Sequence, residues 1–182
     1  THPRSSAASD VYKRQAIAKS SDGVFIDPFR GIVDLENKIL RHVSDAFIED
    51  PLRVLRVCRF TSTLDFNIHA DTLKLMTKLV DTYELNELSP ERIWNEILKG
   101  LMGKKPSRMI DSLIKCGALG AINRSLSNGV SESENKIIIY KTLDLAAKNN
   151  LSIETRVAIF CLLTEYNLSL IHISEPTRRT SI

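Results

Sequence analysis

Glycine is scarce, with seven in 182 residues, and neither G-x-G-x-x-G nor G-x-x-x-x-G-K-[ST] occurs. That excludes the two common glycine-rich loops that cradle phosphates. Cysteine is limited to Cys58, Cys116 and Cys161, odd in number and far apart, with no C-x-x-C pair. A disulfide framework and a zinc knuckle are excluded, and reduced thiols in a cytoplasmic protein are expected. No apolar run reaches the roughly 18–20 residues of a membrane-spanning helix. Aromatic residues make up 6% of the chain, with one tryptophan. What is present is ordinary for a folded domain: 43% hydrophobic and 26% charged residues. The length suits one domain, or one and a fraction, with a sizeable core.

The net charge of +3 is confined to the ends. Arg4, Lys13 and Arg14 exceed Asp10 by two in residues 1–15, and Arg178 and Arg179 exceed Glu175 by one in residues 168–182. Residues 16–167 are therefore neutral, and the overall basicity is no argument for nucleic acid. The ends also differ in character. THPRSSAASDVYKRQ has no helical or strand period and no apolar signal-peptide core. It and the closing LSLIHISEPTRRTSI resemble translated sequencing-adapter sequence, so 1–15 and 168–182 are set apart from fold reasoning as expected artefacts.

Between them, Gly23–Ile26 (GVFI) reads as a short apolar strand, ended by Asp27-Pro28. A mixed stretch runs to Ser44. From Asp50 the pattern is helical: Leu52, Leu55 and Cys58 recur at steps of three. A second helix fits 70–82. A third starts at Ser89-Pro90, an N-cap with proline at the first position, and buries Ile93, Trp94, Ile97, Leu98 and Leu101. A fourth runs from about 107 to Cys116, with Gly117 as its C-cap. Two more fit 133–148 and 152–166, and the Ser/Asn/Gly stretch 125–131 is a candidate linker. After residue 48 the body is expected to be all helical. The fold class is mainly α, a helical neck and body preceded by a remnant strand of an α/β head.

The densest chemistry lies at 49–60 (EDPLRVLRVCRF). Steps of three lag a full helical turn by about 60°, so Asp50, Arg53, Arg56 and Arg59 are expected as a slowly drifting line up one side of a helix. Such a row suits an anionic ligand. It also suits a plain helix start, with Asp50 as cap, Pro51 at the first position and arginines covering a solvated face.

Four stretches then occur in order: DPFRGIVDL at 27–35, LRHV at 40–43, FIEDPLRVLRVCRF at 47–60 and LSPERI at 88–93. They resemble the DPxxGxxDL, EDPLRxLRxxRF and SPERIxxE motifs of bacterial CCA-adding enzymes, the class II tRNA nucleotidyltransferases. Ala16-Ile17-Ala18 is similar to the end of the motif that precedes them. The resemblance divides the chain into the end of a nucleotidyltransferase head (16–33), a neck with the nucleotide-reading helix (34–102), and a helical body (103–167). It implies template-independent addition of C and A to tRNA, with substrates CTP and ATP, partner tRNA, Mg²⁺ in the complete enzyme, no membrane, and a cytoplasmic site of action.

By the same resemblance Asp50 and Arg53 form the base-reading pair. Cytosine and adenine each place an amino donor beside a ring-nitrogen acceptor. A carboxylate accepts from the first and a guanidinium donates to the second. Uracil and guanine reverse that order and would leave the pair unmatched. Arg56 would help hold the nucleotide, and Arg59 would reach phosphate or brace the helix. Asp27, Gly31 and Asp34 would connect head to neck, and Glu49, Glu91 and Arg92 would support the reading helix. The family's metal-binding head motif (G-G-x-V-R-D … D-x-D) does not occur, so a fragment without catalytic carboxylates is expected. Arg156–Leu163 resembles the lead-in helix of a His-Asp hydrolase domain, with Thr164-Glu165 where His-Asp would stand. His42 and His69 have no metal partner at i+4, and Trp94 reads as core. Two other readings stay open: a bacterial poly(A) polymerase, which shares these motifs, and a non-catalytic RNA-binding helical module.

Overall fold

The computed structural model describes residues 17–82, 84–123, 127 and 133–163. The two adapter-like ends, Ala16, Thr164-Glu165 and all of the 125–131 stretch except Ser127 lie outside these residues. The chain begins with a hairpin: β1 (Ala18–Lys19) pairs antiparallel with β2 (Phe25–Ile26) across a turn closed by Ser20 N to Val24 O at 2.8 Å. The GVFI strand is thus shortened to its last two residues. Its side chains are exposed, Phe25 by 59% and Ile26 by 55%.

The mixed stretch contains elements that its composition did not suggest. α1 (Gly31–Glu36) is started by Asp27, whose carboxylate oxygens accept from Gly31 N at 2.7 Å and Ile32 N at 2.8 Å. β3 (Ile39–Leu40) follows, and then a 3₁₀ turn over Asp45–Glu49. The central helix, α2 (Leu52–Leu64), leads to β4 (Asn67–Ile68), which pairs parallel with β3. That pairing corrects the all-helical expectation after residue 48. The two strands are 28 residues apart in sequence and are joined only because α2 folds back between them, so no local pattern announces them.

The remaining elements match their sequence signals. α3 is Ala70–Asp81, a 3₁₀ turn covers Glu84–Glu87, and α4 is Pro90–Leu101. Ser89 caps α4 by accepting from Arg92 N, with Pro90 at the first position. α5 (Pro106–Lys115) ends at Gly117, whose φ of +79° is the left-handed conformation that glycine adopts without strain. α6 (Ala118–Ile122), α7 (Ser133–Lys148) and α8 (Ile153–Leu163) complete the described elements.

α2 sits in the middle, packed on α4 and α5. Leu52, Val54, Leu55, Val57 and Cys58 are all buried, because neighbours cover more than one face of it. One cluster of buried side chains runs from Leu40 to Phe160 and includes Trp94. Ser62 Oγ donates to Gly100 O at 2.6 Å where α2 meets the end of α4. A Cβ at Gly103 would overlap Ser62 Oγ and lie 2.9 Å from the Ser62 carbonyl carbon, so glycine sets this close approach. Arg156, 3% exposed, anchors α8 to the end of α4 by donating to Leu101 O at 2.8 Å. A buried guanidinium at carbonyls left over by a helix end is well placed. No helix among the described residues is long and apolar enough to cross a membrane.

Candidate functional site

Asp50 stands just before α2 in extended conformation. Its Oδ1 accepts from Leu52 N at 3.1 Å, a capping contact, and from Arg92 Nη2 at 3.4 Å. The backbone carbonyl of Asp50 also accepts from Arg53 N at 3.0 Å, closing the first turn. Asp50 is therefore both the cap of α2 and the point where the start of α4 ties on.

The three arginines do not share one exposed row. Between positions 53 and 59 a helix drifts by about 120°, enough to place the two on different sides. Arg53 is 5% exposed and donates through Nη1 to the carbonyl of Ala46, in the 3₁₀ turn. Arg56 and Arg59 lean toward α4. The Arg59 Nε lies 2.6 Å from Glu96 Oε2, and the Arg56 Nε lies 3.7 Å from Glu96 Oε1. Their side chains keep 19% and 20% exposure, whereas Glu96 keeps 7%. The Arg59 guanidinium also lies over the Phe60 ring, 3.9 Å from its centroid.

Glu96 was missed by the sequence reading, although its signal was present. It is the final acid of the SPERIxxE pattern, next to Ile97 on the buried face of α4. A carboxylate inside an apolar stripe requires a cationic partner. The residues chosen for support instead divide. Arg92 does make a bracing contact, with Asp50, while Glu91 lies exposed in the first turn of α4. Glu49 is exposed as well. Arg53, Arg56, Arg59 and Arg92 thus gather around Asp50 and Glu96, with the exposed acids Glu49 and Glu91 beside them.

Asp27, Gly31 and Asp34 lie in and around α1. Asp27 caps α1 as described, and buried Gly31 is the first residue of that helix. Asp34 is buried and takes Arg41 through both Nε at 3.0 Å and Nη2 at 3.1 Å. The Arg41 Nη1 lies 2.8 Å from His69 Nε2, which links α1 to the start of α3. His42 is spent on Thr72, with Nδ1 2.8 Å from Oγ1. Among the described residues, no group of three or more His, Cys, Asp or Glu side chains is placed to hold a metal. Mg²⁺ therefore does not fit the described residues.

Known proteins resemble this chain over most of its length. The profile described as "Probable RNA and SrmB- binding site of polymerase A" matches residues 65–128. A "Multifunctional CCA protein" of Paraburkholderia phymatum is 54% identical over 101 residues, 55% of this chain and 24% of that protein. Its counterpart in Nitrosospira multiformis is 43% identical over 152 residues, 79% of this chain and 37% of that protein. Over as much as 79% of its length the chain is thus similar to multifunctional CCA proteins. The CCA-adding fold extends over nearly all of it: a CCA-adding enzyme solved with CTP superposes with a TM-score of 0.66 and 22% identity, over 93% of this chain and 43% of that one. A tRNA-processing enzyme solved with CTP superposes at 0.55 with 27% identity, over 90% of this chain and 50% of the other. The chain spans about a quarter to two fifths of the length of the curated CCA proteins that it matches.

Proposed function

We propose that this chain carries the nucleotide-selecting neck of a template-independent tRNA nucleotidyltransferase, which adds C and A to the tRNA 3′ end from CTP and ATP. In this reading residues 16–33 end the head, 34–102 form the neck and 103–167 the body. The observation that carries it is the locked face of α2. Asp50 is tied to Arg92 at its start, and Arg56 and Arg59 are both tied to Glu96 further along.

The Asp50 carboxylate accepts from the amino group of cytosine or adenine. Arg53 exchanges the Ala46 carbonyl for the ring nitrogen, swapping one hydrogen bond for another, so the 3₁₀ turn over 45–49 yields when the base arrives. Arg56 and Arg59, prevented by Glu96 from folding onto the base-reading pair, meet the ribose and phosphates. Mg²⁺ would be held by the carboxylates of the family's head motif, which this sequence does not contain, and would supply charge stabilisation at the triphosphate. The setting is cytoplasmic, where tRNA and both nucleotides are found.

The test is incorporation of each of the four nucleoside triphosphates into tRNA lacking its 3′ CCA. It uses a chimera in which residues 16–163 replace the matching stretch of the Nitrosospira relative. CTP and ATP should be used and UTP and GTP refused; equal use of all four overturns the reading. The match of residues 65–128 to a polymerase A profile favours a second reading, a bacterial poly(A) polymerase. That enzyme would use ATP and refuse CTP in the same assay.

A further inference from the structure

The peptide unit that holds Arg53 is itself held by a side chain outside the α2 row. The Ala46 carbonyl accepts from Arg53 Nη1, and the N–H of the same peptide unit, on Phe47, donates to Ser44 O at 3.1 Å. The Phe47 side chain is 2% exposed and meets the His42 ring, with centroids 6.0 Å apart and planes inclined at 59°. That is a favourable tilted arrangement for two rings. His42 is pinned in turn to α3. Its backbone N–H donates to Thr72 Oγ1 at 3.1 Å, and its ring Nδ1 lies 2.8 Å from the same oxygen. A hydroxyl can accept from the N–H and donate its own hydrogen to Nδ1. One fully buried group thus fixes both the backbone and the ring of His42. The pairing of β3 with β4 secures the chain as far as Leu40. From there a line of contacts runs through Thr72, His42, Phe47 and Ala46 to Arg53.

We propose that His42 is a positioning residue for nucleotide selection: anchored on Thr72, it holds the 3₁₀ turn over 45–49 so that Arg53 keeps its bearing beside Asp50. The proposal rests on base reading by Asp50 and Arg53. A planar guanidinium selects by the direction of its hydrogen bonds, so its orientation carries the discrimination. A displacement of about 1 Å in such a group costs on the order of 100-fold in rate. When Arg53 leaves the Ala46 carbonyl for the ring nitrogen, that peptide unit moves while Phe47 stays in the core against His42. The exchange is thereby confined to one peptide unit. His42 acts through Phe47 and Ala46 and touches neither base nor phosphate.

The experiment uses the chimera carrying residues 16–163 and compares kcat/KM for CTP with that for UTP. His42→Ala and Thr72→Val should each lower the CTP/UTP ratio about tenfold, with an unchanged circular dichroism spectrum. The double variant should be no worse than either alone, since both changes break the same link. His42→Asn puts an amide oxygen where Nδ1 stood and should recover most of the ratio. Ser107→Ala is the stability control: it loses the Ser107 Oγ contact to Asp144 Oδ2, 2.7 Å, between α5 and α7. It should lower the melting temperature and leave the ratio alone. Should His42→Ala not fold, Thr72→Val and His42→Asn decide by the same ratio. Equal use of CTP and UTP by the unaltered chimera would overturn base reading at α2, and this proposal with it. A selective chimera whose ratio survives His42→Ala or Thr72→Val, an Asn variant as poor as the Ala variant, or an equal fall in Ser107→Ala would overturn the role of His42 alone.

Discussion

Replacing Glu96 by glutamine removes one negative charge from beneath two guanidiniums and keeps the side-chain volume. The carboxylate is 7% exposed, and the nearer partner, Arg59, lies at 2.6 Å. Breaking a fully buried ion pair costs about 3–5 kcal/mol because the surviving charge is left unpaired. Here the surviving charges are one-fifth exposed, so water recovers part of that loss. A charge-assisted hydrogen bond is worth about 1.5–3 kcal/mol, which places Glu96→Gln near a loss of about 2 kcal/mol. For a chain of this size that lowers the melting temperature by about 4–8 °C. Urea unfolding of the single and double variants with Arg59→Met should give a coupling of about 1–2 kcal/mol between positions 96 and 59. The same cycle with Arg56→Met should give less than half of that, because its 3.7 Å separation permits attraction without a well-formed hydrogen bond. A Glu96→Gln loss below about 0.5 kcal/mol, or a coupling to Arg56 as large as that to Arg59, would refute the view that Glu96 locks α2 to α4.

Asp50→Ala in the chimera should lose about 10- to 150-fold in kcat/KM for CTP and ATP, one charge-assisted contact, while UTP loses much less; a lower melting temperature with CTP/UTP discrimination intact would instead assign Asp50 to capping alone. The chain by itself should incorporate no labelled CTP or ATP into tRNA lacking CCA, since its sequence holds no G-G-x-V-R-D … D-x-D motif, and turnover above background would contradict this. Gly103→Ala should cost about 1–3 kcal/mol in urea unfolding by forcing the turn after α4 away from Ser62, whereas a neutral result would show that this contact relaxes freely. Asp111, its pKa lowered by Lys115 and Lys136 against the opposing effect of burial, stabilises the fold above the unfolded carboxyl pKa and loses that contribution as pH falls through the folded value. Asp111→Asn should therefore destabilise by under about 1 kcal/mol at pH 7 and by progressively less as pH falls through the lowered folded pKa, read as converging unfolding curves.

The parts of this molecule that could be read in advance are those decided within a few residues of chain. Ser89-Pro90 starts α4 because a hydroxyl and a preset φ act on the next turn, and Gly117 ends α5 because only the local backbone must turn left-handed. Asp50 was legible as a cap for the same reason, since its capping bond reaches two residues. The pairing of β3 with β4 was not, because its partners meet only after α2 has packed. Arg53 was misplaced on the same ground: period alone put it in line with Arg56 and Arg59, yet its burial is decided by the turn over 45–49 folding back to offer the Ala46 carbonyl. Glu96 shows the intermediate case. Its helix and its position on the buried face were both predictable, and a buried carboxylate had to be paired, but the identity of its partners depends on the α2–α4 packing. A charged residue standing in an apolar stripe is thus a sequence-level pointer to a tertiary contact. Here it leads from α4 to the two arginines of α2 proposed to meet the nucleotide.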